Sequence, residues 1–166
     1  MARKGRVLAV CTSERKGTPK RDVGHSRLEV EWGLVGDAHA GPWHRQVSLL
    51  AWESIEKMRA KGLNVRAGSF AENITTEGLE LYTLPIGTRL RIGTALAEVT
   101  QIGKICHDRC AIYYQAGDCV MPREGIFVRI LEAGEVKVGD EVEVLEEPGE
   151  AREAAPPASS GPAGCP

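Results

Sequence analysis

The 166-residue chain has no apolar run approaching the roughly 20 residues needed to span a bilayer. Its first residues, Met1-Ala2-Arg3-Lys4-Gly5-Arg6, are basic, but the apolar run behind them, Val7 to Cys11, is too short for the core of a secretory signal. Both absences predict a cytoplasmic protein without a membrane partner. An excess of charge is lacking too, since 21 Lys and Arg against 23 Asp and Glu leave a formal net charge of -2. That balance gives no reason to expect nucleic acid as partner. There is no P-loop, no dinucleotide-binding glycine fingerprint, no Gly-x-Ser-x-Gly elbow and no visible internal repeat. The commonest motif evidence for nucleotide binding and for serine hydrolysis is therefore missing.

What is present is enough for one folded domain with a core of its own. Residues 1–146 carry the alternating patterns, and 147–166, rich in Pro, Ala and Gly, read as a disordered tail that includes Cys165. Short strands are predicted at Gly5–Cys11, Arg27–Trp32, Gln46–Leu50, Thr88–Ile92, Ala95–Ile102, Glu124–Leu131 and Glu141–Leu145. In the second, Leu28, Val30 and Trp32 alternate with charged residues as a half-buried strand would. One helix is predicted over Ala51–Lys61, with Trp52, Ile55 and Met58 on the core face, Ser48 as its cap and Gly62 as its stop. Strand signals at 8–12-residue spacing favour a mostly β barrel or sandwich with few short helices over βαβ units.

Chemistry concentrates in three polar stretches. Thr12 to Ser26 carries Arg15, Lys16, Lys20, Arg21 and His25, punctuated by Gly17, Pro19 and Gly24. It reads either as a solvated loop or as an anion-binding loop, because clustered cations and free backbone N–H groups suit phosphate. Gly33 to Arg45 holds Asp37, His39, His44 and Arg45 in a stretch too rich in Gly and Pro for a regular element. The third stretch, Cys106 to Cys119, contains three of the five cysteines and His107. An odd cysteine count in a cytosolic setting points to thiols, metal ligands or redox groups. Lys104, His107 and Arg109 would favour a thiolate, and a helix over Cys106–Tyr114 would place Cys106 and Cys110 one turn apart. Three readings stay open: a reactive thiol, a zinc or other soft-metal module using Cys106, His107, Cys110 and Cys119, and small buried hydrophobes.

The order and spacing of Gly36-Asp37-Ala38-His39-Ala40-Gly41, Arg45-Gln46-Val47-Ser48-Leu49-Leu50 and Glu72-Asn73-Ile74 resemble the molybdenum cofactor sulfurase C-terminal (MOSC) domain. Lys16-Gly17-Thr18-Pro19-Lys20 is similar to that family's N-terminal loop, and Thr100 to Cys106 to the segment leading into its reactive cysteine. The likeness covers about Val7 to Leu145 and looks like that of small stand-alone prokaryotic members, without the aminotransferase-like domain of full sulfurases.

The resemblance implies a β-barrel-like MOSC fold that binds molybdenum cofactor (molybdopterin) or carries its sulfur as a persulfide. The register set by Thr100-Gln101 puts the family cysteine, metal ligand or sulfur carrier, on Cys106; Arg109-Cys110 also fits the Arg-Cys pair of larger members. Lys16, Lys20 and Arg45 would hold the cofactor's phosphate, Asp37 and His39 would order the mouth of the pocket, and Asn73 is a further expected cofactor-binding residue. Expected partners are molybdenum cofactor biosynthesis or sulfur-donor proteins. Larger relatives reduce N-hydroxylated compounds with redox partners, which makes a small molybdenum-dependent reductase an alternative. No pyridoxal phosphate is expected, because nothing in the chain provides a comparable lysine site.

Overall fold

The structure is a computed structural model that describes residues 3–16, 18–103 and 121–147; of residues 121 and 122 only the backbone is described. Cys106, His107, Cys110 and Cys119, the helix expected over Cys106–Tyr114, and all of the tail beyond Glu147 lie outside the described residues.

Seven strands close into a barrel. They are β1 (Lys4–Thr12), β5 (Val47–Ala51), β6 (Ile74–Glu77), β7 (Arg89–Ile92), β8 (Ala95–Ile102), β9 (Ile126–Glu132) and β11 (Glu141–Glu146). Their order is β11-β7-β8-β9-β5-β6-β1, and β1 pairs back onto β11 to shut the wall. Barrel or sandwich is thus decided by a pairing between the first and last strands of the fold. β5 and β6 are parallel, a geometry that a tight hairpin cannot join. The connection between them carries helix α1 (Trp52–Arg59). The two-residue strand β2 (Arg21–Asp22) hangs on the end of β1. A separate three-stranded sheet is built from β10 (Gly134–Lys137), β3 (His25–Glu29) and β4 (Gly33–Leu34). A single turn, α2 (Met121–Glu124), leads into β9, and a 3-10 turn spans Leu81–Thr83.

Side-chain alternation explains the two cores. Along β5, Val47, Leu49 and Ala51 point into the barrel with Val10, Val99, Ile126 and Val128. Leu50 points the other way and joins Ile55, Met58, Val65, Phe70 and Phe127 beneath α1. Every residue of β5 is buried for this reason. Ile55 and Met58 are in the core as the helical spacing requires, and Trp52 covers its edge.

Two local expectations are corrected. The strand read as Arg27–Trp32 stops at Glu29. Glu31 takes a left-handed φ of 61 and Gly33 a φ of 110, so the chain turns there and leaves Val30 and Trp32 exposed. At Gly33 a Cβ would lie 2.7 Å from the Gln46 carbonyl oxygen, so the turn presses against the chain entering β5. Ser48 does not cap α1: the cap position is Ala51, with no side-chain hydrogen bond. Ser48 sits inside β5, and its hydroxyl donates to Asn73 Oδ1 at 3.3 Å and lies 3.4 Å from the Ala71 carbonyl.

Candidate functional site on the outer wall of the barrel

The barrel strands bury apolar side chains on one face and, over β1, β5 and β8, turn polar ones outward. Val10 faces the core and Cys11 faces out; Leu49 faces in and Ser48 out; Val99 faces in and Thr100 out. Ser13 and Lys20 from the chain after β1, together with loops Gly36–Arg45 and Gly68–Asn73, cover this outer wall. The result is a buried polar layer outside the barrel core.

Its centre is an ion pair. The ammonium of Lys20, a residue only 1 % exposed, lies 2.7 Å from Asp37 Oδ1. It is also 3.0 Å from Ser13 Oγ and 2.9 Å from His39 Nδ1. Asp37 accepts further bonds from the backbone N–H groups of Ser13 and His39 and from the Asn73 side chain. Burial pushes the Asp37 carboxyl up, but the Lys20 hydrogen bond and charge outweigh it and hold the group below the usual carboxylate range. One carboxylate thereby ties the loop after β1 to the loop before β5.

A second clamp lies beside it. Asn73 Oδ1 accepts from the Ser48 backbone N–H at 2.9 Å and its amide donates to the Cys11 carbonyl at 3.1 Å, joining β1 to β5. Glu72 accepts from the backbone N–H groups of Gly68 and Phe70 and from Thr75 Oγ1. Burial raises the Glu72 carboxyl, partly offset by those three donors. The turn it holds packs on the Lys20 backbone so closely that a Cβ on Gly68 (φ +88) would stand 2.1 Å from the Lys20 carbonyl oxygen. Glycine is required there on both counts.

Next to the ion pair, Trp43 gathers the remaining polar groups. Its indole N–H donates to the His39 carbonyl at 2.8 Å. The Lys16 ammonium lies 5.2 Å from its ring centroid and the Arg45 guanidinium 5.6 Å, with Arg45 also 4.9 Å from the Phe127 ring. Arg45 is a buried cation held between two aromatic faces, a contact worth about 0.5–2 kcal/mol per ring. His44 and the loop end are latched to β8. Gln101 donates through its amide to the Gly103 carbonyl, so its oxygen accepts from His44 Nε2 at 2.9 Å. Thr100 Oγ1 reaches the His44 and Phe127 carbonyls. Gly103 bonds Gly125 at 2.6 Å. The described chain therefore leaves for residues 104–120 directly beside the His44–Gln101 latch.

The structure brings Lys20, Asp37, His39 and Asn73 into one hydrogen-bonded group, and Lys16 and Arg45 onto one indole ring. Cys106 and Cys110 are outside the described residues. Sequence reasoning missed Ser13, Trp43, Gln101 and Phe127. Trp43 and Gln101 lay within stretches already singled out, whereas Phe127 looked like ordinary core.

Cys11 is the one cysteine among the described residues. It is fully buried, and burial, followed by the charges of Glu72 and Asp22, pushes its thiol up to about 12. A thiol so shielded is neither a nucleophile nor a metal ligand at neutral pH. Among the described residues no group of three or more His, Cys, Asp and Glu is placed to hold a metal ion.

A closed seven-stranded barrel with these loop motifs defines a MOSC domain, and the chain belongs to that family: the MOSC domain model matches residues 36–143. Among solved structures it is similar to the YuaD protein of Bacillus subtilis, with 17% identity, TM-score 0.71, and 87% of this chain and 97% of that one covered. YiiM of Geobacillus stearothermophilus aligns with TM-score 0.64 at 17% identity over 90% of this chain and 79% of that one. YiiM of Escherichia coli gives 0.59 at 22% over 89% and 71%. At these identities the likeness concerns the fold. No curated protein matches the chain. No described helix is long and apolar enough to cross a membrane.

Proposed function

We propose that this MOSC domain handles molybdenum cofactor or its sulfur, with Cys106 as the sulfur-carrying or metal-binding residue. The family is linked to sulfurase-type molybdenum cofactor chemistry. The observation that carries the finer reading is the cluster of Lys16 and Arg45 on Trp43, beside the point where the chain departs toward Cys106.

The donor set fits the group. A pterin carrying a phosphate ester needs cations for the phosphate and a flat apolar face for the ring system. Lys16, Arg45 and Trp43 are of those types, while the charge of Lys20 is matched by Asp37 in the layer beneath. The soft ligand has to come from a thiolate. Cys11 is excluded by its burial, which turns attention to residues 104–120 and, through the register of Thr100 and Gln101, to Cys106.

When bound, the cofactor would supply a redox-active metal centre that accepts a sulfur ligand. The chain's own contribution is positional. Asp37 and Asn73 fix the covering loops, Trp43 and Phe127 hold the Arg45 guanidinium in place, and the His44–Gln101 latch holds Gly103, the last described residue before the cysteine stretch.

The test is anaerobic purification followed by peptide mass mapping and elemental analysis. The expected result is one extra sulfur atom on Cys106, or molybdenum with a pterin, lost in Cys106→Ala. Unchanged sulfur and metal content in Cys106→Ala contradicts the proposal, and content lost only in Cys110→Ala moves the role to Cys110. Stoichiometric zinc lost in Cys110→Ala or Cys119→Ala would replace it with the metal-module reading.

A further inference from the structure

We propose that Arg15, Lys16, Arg21, Arg59 and Arg66 form a docking surface for the acidic face of a partner protein. The inference goes beyond the function proposed above and does not depend on what Cys106 carries.

The cations of this chain are not distributed evenly between paired and unpaired. Around the barrel and the small sheet, Lys4 pairs with Glu141, Arg6 with Glu77, Arg129 with Glu98 and Lys137 with Asp140. Arg89, half-buried and without an ion pair, still stands opposite Glu98 and Glu146 on its neighbouring strands. Arg15, Lys16, Arg21, Arg59 and Arg66 are all exposed, and among the described residues none has a carboxylate at ion-pair distance.

The fold brings these five together from separate segments. Thr12 pairs with Arg21, so β2 lies alongside the chain leading to Arg15 and Lys16. Ser13 Oγ and Thr18 Oγ1 both donate to the Arg15 carbonyl, which draws that stretch back on itself. The Lys20 backbone N–H donates to the Gly68 carbonyl at 2.8 Å, and Ser69 N–H to the Arg66 carbonyl at 3.0 Å. Arg21 is therefore set against the turn that begins at Arg66. The Arg66 charge is felt at the Cys11 thiol, whose strand partner is Asp22. Arg59 arrives from α1, its guanidinium donating to the Val65 carbonyl at 2.7 Å, one residue before Arg66.

The chemistry of the surface selects the partner. Like charges gathered without counter-charges repel one another, and on a chain of net charge -2 this excess is local. Four of the five are arginines, whose forked guanidinium matches a carboxylate through two parallel hydrogen bonds. Carboxylates are interspersed with them: Glu14 and Glu56 are exposed, and Asp22 is held by the N–H groups of Val10 and Gly24. Duplex nucleic acid carries a charge about every 1.7 Å along its axis, and an anionic membrane is a continuous negative plane. Either would press negative charge onto Glu14 and Glu56. A protein face places its carboxylates at discrete points and can meet the arginines while avoiding both. Lys16 also lies on Trp43, so a partner docked here would stand beside the candidate site.

The test titrates the full chain with decaglutamate, decathymidylate, and vesicles of phosphatidylcholine with phosphatidylserine. Decaglutamate should bind, and binding should vanish as ionic strength rises from about 0.01 M to about 1 M, where the Debye length falls from about 30 Å to about 3 Å. The Arg21→Ala, Arg66→Ala double variant should bind about tenfold more weakly, the scale expected for two exposed charge pairs. Lysine at both positions should recover most of the loss, and Arg27→Ala, whose arginine is already paired with Glu29, should bind as the wild type does. Several outcomes would overturn the assignment: no decaglutamate binding, unchanged binding by the double variant, or an equal loss in Arg27→Ala. Tighter binding of decathymidylate or of the vesicles would do the same by moving the surface to nucleic acid or membrane. So would sedimentation showing a wild-type dimer that the double variant dissociates, since the occupant would then be a second copy of this chain. None of these readouts involves sulfur or metal content, so failure here is distinct from failure of the Cys106 reading.

Discussion

Two regions of this molecule use charge in opposite ways. In the small sheet of β3, β4 and β10, charged groups meet at the surface: Arg27 pairs with Glu29 and Glu135, and Lys137 with Asp140, all with arginine or lysine side chains at least half exposed. On the outer wall of the barrel, Lys20 and Asp37 meet with no exposed side-chain surface at all. Exposed pairs exchange water for a partner and gain little. A buried pair has given up its water and needs every remaining bond satisfied. Asp37 has such a set: two backbone N–H groups, an ammonium and a side-chain amide. Here the costly burial holds three separate loops in one arrangement.

Breaking that pair should have the largest effect. Lys20→Met strands a carboxylate and is expected to cost about 3–5 kcal/mol by denaturant unfolding; a cost below 1 kcal/mol would mean that the pair is not sealed. Acid probes the same bond. Because the folded Asp37 carboxyl titrates below its usual range, its contribution is complete above the unfolded value, near pH 4, and is lost as pH falls through the folded value. Stability of the wild type should therefore fall more steeply on acidification below about pH 4 than that of Asp37→Asn.

Glu72→Gln comes next. It turns an amide N–H₂ toward donors that now meet a carboxylate, and an expected loss of about 1–3 kcal/mol follows. Lys57→Ala should cost less, about 0.5–1 kcal/mol, since the lysine is half exposed although its partner Glu124 is largely covered. Arg27→Ala closes the series at about 0–0.5 kcal/mol. If Arg27→Ala rivalled Lys20→Met, the contrast between the two regions would collapse.

How far these features were legible in the sequence depended on the range of the physics. Alternation located β7 and β11, because a wall with one apolar face writes period two into the chain, and a short apolar run located β1. It misjudged Val30 and Trp32, where alternation continued past a turn forced by Glu31 and Gly33. The Ser48 hydroxyl looked like a helix cap because its real partner, Asn73, lies 25 residues on. Lys20 read as a cation of a solvated or anion-binding loop for the same reason: nothing local shows that Asp37, 17 residues away, will bury it. The motifs carried what periodicity did not, since Asp37, Arg45 and Asn73 all stand at positions that tie loops to the barrel. Phe127 was hidden among the apolar residues of β9, and only its facing Arg45 distinguishes it.

On the proposed function the chemistry belongs to Cys106 and not to the Cys11 thiol folded into the barrel wall. Differential alkylation of the native protein, mapped residue by residue across pH, tests it most directly. Cys11, with its thiol pushed up to about 12, should stay unlabelled until the protein unfolds. Cys106 should label rapidly at neutral pH, or be protected by a sulfur atom that a reductant removes. Labelling of Cys11 in the folded protein with Cys106 inert and unmodified would contradict the account.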